Sequence, residues 1–172
     1  MTDLPSPDSF VLQPEYDLVI VGSGGASMCA ALYARQQGFN PVIIEKLDKV
    51  GGSTGYSGGV WWVPDNHVMK RHGVEDSPEL AHRYFEAVVD FHGKGTSPER
   101  RAAFIDTGPE MIRFLEEQGM EYFYPDGWSD YYDDRPGGQP RGRSLMARTF
   151  DSNRLGPWRE KLSLYAPFAA LP

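Results

Sequence analysis

Cysteine is nearly absent from the sequence: Cys29 is the only one among 172 residues, so no disulfide can form within the chain. An isolated cysteine is typical of proteins from a reducing compartment, and we therefore expect a cytoplasmic location. Cys29 falls in an alanine-rich segment that predicts a helix. In that setting a small, weakly polar side chain is expected to serve packing rather than thiol chemistry.

Basic residues and long apolar runs are scarce as well. Lys and Arg number 17 against 24 Asp and Glu, giving a net charge of −7, which argues against nucleic acid or an anionic membrane as a partner. No apolar run is long enough for a transmembrane segment, and the acidic, proline-rich residues 1–15 do not resemble a signal peptide. No carboxylate or cysteine stands at ligand spacing from a histidine, so we predict no metal site. The histidines are His67, His72, His82 and His92.

Residues 16–45 predict a βαβ unit. The apolar, β-branched residues 16–21 and 41–45 are typical of buried parallel strands, and residues 26–37 between them are good helix formers. Further along, residues 66–72 predict a short helix. Proline–glutamate pairs after a capping residue predict helix starts at Ser77, Ser97 and Gly108. Residues 121–124 indicate a strand, and residues 126–144 are turn-rich.

A glycine-rich loop, Val-Gly-Ser-Gly-Gly-Ala-Ser, follows the first strand at residues 21–27. It departs from the dinucleotide-binding pattern G-x-G-x-x-G only at Ser27, where a small residue still allows close helix–strand packing. Glu45 stands 23 positions after Gly22, where a carboxylate accepts hydrogen bonds from a ribose. This motif alone leaves NAD and FAD open. The second glycine cluster, residues 51–59, supplies further N–H groups and hydroxyls, which favours the longer ligand FAD.

The spacing EKxxxxGGST, then YSGGVWWVP, resembles the flavoprotein subunit family of fumarate reductase and succinate dehydrogenase, and within it the 3-ketosteroid dehydrogenase branch. The resemblance covers about residues 16–156. It continues through the segments SPE at residues 77–79, GPEM at 108–111, SDYY at 129–132, PGG at 136–138 and GRS at 142–144. The GxGxxG and GGST patterns occur in many flavoproteins, whereas DYY followed by GRS is more specific.

This resemblance implies an α/β fold that is the N-terminal part of a Rossmann-like FAD-binding domain, followed by helices and an irregular, loop-rich segment. Residues 1–15 would be a flexible lead-in, and residues 16–172 the partial domain. Within it, residues 16–60 would form the dinucleotide-binding βαβ and glycine loop. Residues 65–119 would be helical, and residues 120–172 would form a loop-rich segment toward the substrate side.

The resemblance also implies an oxidoreductase that removes a proton beside the ketone of a 3-oxosteroid, or a similar flat apolar ketone, and passes a hydride to FAD. Reoxidation would need an electron acceptor. Tyr131 would be catalytic by donating a hydrogen bond to a second phenol that serves as base, because a free tyrosine, with a pKa near 10, needs such help. The alternative is that Tyr131, like its neighbouring tyrosines, is a packing or surface aromatic of the loop. Arg141 and Arg143 could orient a substrate or pair with Asp130, Asp133 and Asp134, and of these two alternatives solvated loop ion pairs are expected. The expected FAD-binding residues are Gly22, Ser23, Gly24, Gly25, Ala26, Glu45, Lys46, Gly52, Ser53 and Thr54, with Ser57 and Gly58 near the flavin ring.

Members of this family are much longer chains, and the resemblance puts the base and the remaining strands beyond Pro172. The apolar end at residues 165–172 fits an interruption within a fold, so we expect a fragment that alone neither holds FAD tightly nor oxidises steroids. The missing C-terminal part would then be a partner. Two alternatives remain: a catalytically silent nucleotide-binding remnant, or a piece of a fumarate reductase-type flavoprotein. The aromatic residues at 128–132 favour a flat apolar substrate over a dicarboxylate.

Overall fold

A computed structural model describes residues 6–90 and 93–163. These residues group into two units, one made of residues 6–58 with 149–163 and the other of residues 59–148. His92, the beginning of the predicted lead-in at residues 1–5 and the apolar end at residues 165–172 lie outside the described residues. No helix in the described ranges combines the length and the apolar character needed to cross a membrane.

The first unit contains the predicted βαβ arrangement. Strand β1 (Leu18–Val21) leads through the glycine loop to helix α1 (Gly25–Gln36), and strand β2 (Pro41–Ile44) follows. The strands are parallel, with Leu18 opposite Pro41 and Val21 opposite Ile44. The predicted α/β fold class is therefore confirmed, and the helix bounds differ from the prediction by one residue at each end.

The prediction that these strands are buried is wrong for β1. Val19 is 55% exposed and Val21 is 80% exposed. Parallel strands are normally covered on both faces by other elements. In the described part of the chain the parallel sheet has two strands, and α1 contacts both of them. The apolar residues of β1 are therefore typical of a buried strand, but the described elements of the first unit leave them exposed.

The rest of the first unit supports the second glycine cluster. A 3₁₀ turn spans Gly52–Tyr56, and a longer 3₁₀ segment, Ser152–Lys161, is interrupted at Gly156. Val50 joins the two stretches: its N–H donates to the Lys161 carbonyl at 2.7 Å, and its carbonyl accepts from the Ser163 N–H at 2.8 Å. These bonds secure the chain just before the second cluster. A further short 3₁₀ helix, Pro7–Ser9, precedes β1.

The second unit is built on an antiparallel sheet that the sequence only partly predicted. Its strands are β3 (Val60–Trp62), β4 (Tyr122–Phe123) and β5 (Ser144–Ala147), in the order β3-β5-β4. Trp61 pairs with Leu145, and Phe123 pairs with Met146. The predicted strand near residues 121–124 is confirmed as β4, whereas β5, at the end of the turn-rich stretch, was not anticipated.

Three α-helices accompany this sheet: α2 (His67–Arg71), α3 (Pro78–Val88) and α4 (Pro98–Glu117). A 3₁₀ turn, Lys94–Thr96, precedes α4. The predicted starts at Ser77 and Ser97 are confirmed, because their hydroxyls accept hydrogen bonds from the N–H groups of Leu80 and Arg100. The buried apolar residues of this unit include Val63, Val68, Met69, Val74, Ala81, Tyr84, Ile105, Ile112, Leu115 and Leu145.

The helix start predicted at Gly108 is wrong, because α4 runs without a break through Pro109. A proline inside a helix removes one backbone hydrogen bond and usually ends or kinks the helix. Here Ile105 precedes it and Ile112 and Leu115 follow, and all three side chains are buried. Packing on both sides of the proline therefore holds one continuous helix, overriding the local signal.

Candidate functional site

The first glycine loop leaves β1 in a tight turn and enters α1. Gly22 has a φ of 87°, which favours glycine, and its N–H donates to the Ile44 carbonyl at 2.7 Å. Gly24 is the N-cap of α1, which begins at Gly25. The loop therefore places the N-terminus of a twelve-residue helix beside the end of β2. Free N–H groups and a partial positive charge at such a helix end favour an anion.

Ser23 and Glu45 connect the loop to the end of β2. One Glu45 oxygen, Oε2, accepts from the Ser23 hydroxyl at 2.6 Å and from the Ser23 N–H at 3.0 Å. The other, Oε1, accepts from the Leu47 N–H at 3.1 Å. The Ser23 hydroxyl, and then the Leu47 N–H, lower the pKa of Glu45 below its ordinary value, so the residue is held as a carboxylate.

The second glycine cluster is hydrogen-bonded to the first, and the backbones of the two clusters approach each other closely. The Gly51 N–H donates to Ser23 Oγ at 3.0 Å, and the Gly25 N–H donates to Thr54 Oγ1 at 3.0 Å. A Cβ added to Gly52 would stand 3.4 Å from the Gly24 Cα, so a side chain there would crowd the first loop. The two glycine clusters therefore form one structure. Such a structure is required if the second cluster supplies additional contacts for FAD, as the sequence predicts.

A cavity of about 520 Å³ opens beside these loops. A Cβ added at Gly22 or Gly24 would meet no protein atom within 4 Å, so the space next to the backbone is free for a ligand. Helix N–H groups suit a pyrophosphate, and an ionised carboxylate suits a ribose, so these residues fit a dinucleotide. The lining residues are Val21, Gly22, Ser23, Gly24, Ile44, Glu45, Lys46, Leu47 and Gly52.

Six of the residues predicted to bind FAD line this cavity, namely Gly22, Ser23, Gly24, Glu45, Lys46 and Gly52. Gly25 and Thr54 are joined by their hydrogen bond, and Ala26 lies in the exposed first turn of α1. Ser53, Ser57 and Gly58 are exposed in and after the 3₁₀ turn. The sequence reasoning placed Gly51 in the second cluster but not among the binding residues, and it missed Leu47. The N–H groups of these two residues donate to Ser23 and Glu45 respectively. Their position next to predicted residues was the available signal.

Tyr131 lies in the second unit and is 99% exposed. The backbone on either side of it is nevertheless held in place. The Asp130 N–H donates to the Gln139 carbonyl at 3.1 Å, and the Tyr132 N–H donates to the Tyr84 hydroxyl at 3.2 Å. An exposed phenol on a secured loop is presented outward rather than packed.

The buried side chain of Arg143 holds this loop in place through hydrogen bonds. Its side chain and those of Asp76 and Asp130 have no exposed surface. Nε and Nη2 donate to the two Asp76 oxygens at 2.7 and 2.8 Å, Nη1 donates to Asp130 Oδ2 at 2.6 Å, and Nη2 also donates to the Gly137 carbonyl at 2.8 Å. Trp62 Nε1 donates to Asp130 Oδ1 at 2.8 Å, and the guanidinium lies 5.7 Å from the Trp62 ring centre.

The expectation of a solvated pair is therefore wrong for Arg143. Burial disfavours its charge, but the hydrogen bonds and charges of Asp76 and Asp130 outweigh burial and raise the pKa of Arg143. A buried arginine keeps its charge when carboxylates satisfy its donors, as they do here. The partner Asp76 stands 67 residues away, beyond the reach of a local pattern.

Arg141 behaves as expected, with its exposed guanidinium 3.2 Å from the exposed Asp126. Its backbone has a structural task, since the Tyr124 hydroxyl donates to the Arg141 carbonyl. At the next position, Gly142 has a φ of 81°, and an added Cβ would stand 1.7 Å from the Trp128 carbonyl oxygen. Glycine is therefore required where the loop folds back on itself.

His67, His72 and Cys29 take part in ordinary packing and pairing, with His72 Nδ1 3.0 Å from the Val68 carbonyl. His67 Nε2 lies 2.6 Å from Glu116 Oε2, and Arg71 pairs with the same carboxylate at 2.7 Å. Cys29 is a half-buried free thiol, and burial raises its pKa, which makes it less reactive. In residues 6–90 and 93–163 no group of three or more His, Cys, Asp or Glu is placed to hold a metal ion.

Comparison with known proteins agrees with this geometry. The family described as FAD binding domain matches residues 17–170. The 3-oxosteroid 1-dehydrogenase of Mycolicibacterium smegmatis is 43% identical over 159 residues, which cover 92% of this chain and 27% of that protein. The protein of the same name from Mycobacterium tuberculosis is 46% identical over 143 residues, covering 83% and 25% respectively. This chain thus spans about a quarter of the length of these relatives.

A solved structure is also similar. The 3-ketosteroid Δ1-dehydrogenase from Sterolibacterium denitrificans, crystallised with 1,4-androstadiene-3,17-dione, superposes with a TM-score of 0.80 at 32% identity. The match covers 89% of this chain and 27% of that one. It confirms the predicted N-terminal part of a Rossmann-like FAD-binding domain, and the family match confirms FAD as the cofactor.

Proposed function

The chain belongs to the FAD binding domain family, and on this premise we propose that it is the FAD-holding part of a dehydrogenase acting on a 3-oxosteroid or a similar flat apolar ketone. The relatives named 3-oxosteroid 1-dehydrogenase support this substrate class. FAD, when bound, supplies a two-electron acceptor: one C–H bond yields a proton, its neighbour yields a hydride to the flavin, and a C=C bond forms. Reoxidation of the flavin would need a separate electron acceptor.

Different residues around the cavity are proposed to bind different parts of FAD. The N-terminus of α1 and the backbone at Gly24 receive the pyrophosphate, and the Glu45 carboxylate accepts a ribose hydroxyl. Gly25 and Thr54 keep the two glycine clusters together through their hydrogen bond. The remaining residues proposed to take part in FAD binding are Gly22, Ser23, Ala26, Lys46, Gly52 and Ser53, with Ser57 and Gly58 near the flavin ring.

We assign Tyr131 the part of donating a hydrogen bond to the phenol that takes the proton. Its exposure and the secured backbone at Asp130 and Tyr132 support this assignment, since a catalytic donor must be both accessible and fixed. In the same proposal, residues 16–172 are part of one FAD-binding domain whose residues 120–172 face the substrate, and the protein is cytoplasmic. The other part of the longer relatives' length would be supplied by a C-terminal partner segment.

The observation that carries the proposal is the Glu45 carboxylate held at the cavity by Ser23 and Leu47. Titrating the purified chain with FAD, followed by flavin fluorescence, tests it. We expect weak, reversible binding that Glu45→Gln reduces about tenfold, because a hydrogen bond to a charged group contributes about 1.5–3 kcal/mol. Glu79→Gln, which neutralises an exposed acid in the first turn of α3, is the control and should bind as the unaltered chain does.

Absence of FAD binding, or equal affinities for Glu45→Gln and the unaltered chain, would contradict the proposed site. Binding of FAD without Δ1-dehydrogenation of 4-androstene-3,17-dione in the presence of an artificial electron acceptor is expected for this chain alone. Turnover of the steroid by the chain alone would overturn the expectation that catalysis needs residues outside it.

A further inference from the structure

Ser23 occupies a position of the G-x-G-x-x-G pattern at which any residue type is allowed. Its side chain is nevertheless buried like that of a core residue. It is 2% exposed, although it borders the cavity. A hydroxyl buried to that extent offers almost no surface to a ligand. Its hydrogen-bonding capacity is used within the protein, because the hydroxyl donates to Glu45 Oε2 and accepts from the Gly51 N–H.

The effect of Ser23 is seen in the remaining capacity of Glu45. A carboxylate oxygen accepts about two hydrogen bonds. Oε2 already has two donors, the hydroxyl and N–H of Ser23, whereas Oε1 has one, the Leu47 N–H. The bonds from Ser23 therefore fix the rotation of the carboxyl group and leave a lone pair on Oε1 for an outside donor.

We propose that Ser23 is a positioning residue that orients Glu45 so that Oε1 accepts the 2′-hydroxyl of the adenosine ribose. Through Gly51, the same hydroxyl ties this carboxylate to the second glycine cluster. The inference rests on the proposed FAD site, but it assigns Ser23 a part different from direct contact with the cofactor. Ser23 acts on the ligand through Glu45 alone.

The test compares two probes that differ in one hydroxyl, ADP and 2′-deoxy-ADP, by following amide chemical shifts of the full 172-residue chain during titration. The unaltered chain should bind ADP about tenfold more tightly than 2′-deoxy-ADP, the effect of one hydrogen bond to a charged acceptor. Ser23→Ala should reduce this preference to about twofold or less. Ser27→Ala removes a hydroxyl from the same loop and should retain the full preference.

The preference, rather than the affinity, separates positioning from general support. If Ser23→Ala weakens both probes equally and the tenfold preference persists, Ser23 is merely structural and the inference is overturned, while the proposed site stands. An unaltered chain that binds both probes equally also overturns it. An unaltered chain that binds neither removes the proposed FAD site together with the inference.

A second variant covers the case in which Ser23→Ala fails to fold. Ser23→Cys keeps nearly the same volume but has a much weaker donor. Its circular dichroism should match that of the unaltered chain, and its preference for ADP should also fall, to less than half of the original ratio. A folded Ser23→Cys protein with an unchanged preference would overturn the inference.

Discussion

Replacing Arg143 by leucine should strongly destabilise the second unit. The substitution leaves Asp76 and Asp130 buried without their cation and removes the donor to the Gly137 carbonyl. Removing one partner from a buried ion pair costs about 3–5 kcal/mol, and because two carboxylates lose their cation here, we expect the upper end of that range. For a unit of this size, each kcal/mol lowers Tm by about 4–8 °C, so the expected fall is at least about 15 °C.

The assay is urea unfolding with peptide-level hydrogen exchange, which follows residues 59–148 separately from residues 6–58. Exchange in the first range should accelerate. Arg141→Leu is the matched control, because Arg141 stands two positions away and pairs with the exposed Asp126. An exposed pair contributes about 0–1 kcal/mol, so the control should change the free energy of unfolding little.

A third variant identifies the cause. Changing Arg143 to methionine together with Asp76→Asn and Asp130→Asn removes all three buried charges and should recover at least half of the lost stability, because no uncompensated charge remains. The reasoning is refuted if Arg143→Leu costs no more than Arg141→Leu. It is also refuted if the triple variant is as unstable as Arg143→Leu alone, since the loss would then come from packing rather than charge.

Two further predictions concern catalysis and the proline in α4. In any preparation that oxidises a 3-oxosteroid, Tyr131→Phe should lower kcat at least about tenfold with flavin content unchanged, since one hydrogen bond to the base is lost. Tyr132→Phe is its control, and unchanged turnover in Tyr131→Phe would leave Tyr131 as an exposed surface aromatic without a part in catalysis. Pro109→Ala should raise the free energy of unfolding by about 1–2 kcal/mol in a urea titration, because alanine restores the N–H missing inside the helix. No gain would show that α4 is already relaxed around the proline.

The part of the site that the sequence predicted is the part built from local rules. A glycine loop between a strand and a helix has few solutions, and the acid at the end of the next strand stands at a characteristic spacing. Gly22, Gly24 and Glu45 were predicted to bind FAD for that reason, and all three line the cavity. Ser23 was included as well, but as a cofactor contact. Its bond to a residue 22 positions away could not be distinguished from such a contact by spacing.

The second unit was predicted less well because its order depends on long-range pairs. Nothing near Arg143 in the sequence indicates Asp76, which lies 67 positions away between α2 and α3. The residues around Asp130 are turn formers in any local scheme, although in the structure Asp130 is hydrogen-bonded to Trp62, Gln139 and Arg143. The continuity of α4 through Pro109 has the same origin, because the decisive contacts of Ile105 and Ile112 are tertiary.

In the first unit, the hydrogen bonds that shape the binding site and the rigid support that tight binding requires come from different parts of the structure. The hydrogen bonds of Ser23 with Glu45, of Gly51 with Ser23 and of Gly25 with Thr54 join residues 22 to 29 positions apart, and all of them lie within the first unit. The recognition geometry therefore forms once the βαβ arrangement and the second glycine cluster are in place. Tight binding requires a rigid support as well, and the exposed Val19 and Val21 show that the parallel pair lacks the cover that such sheets normally have. A loosely supported site pays part of its binding energy to become ordered. The chain should therefore discriminate ADP from 2′-deoxy-ADP while binding both weakly.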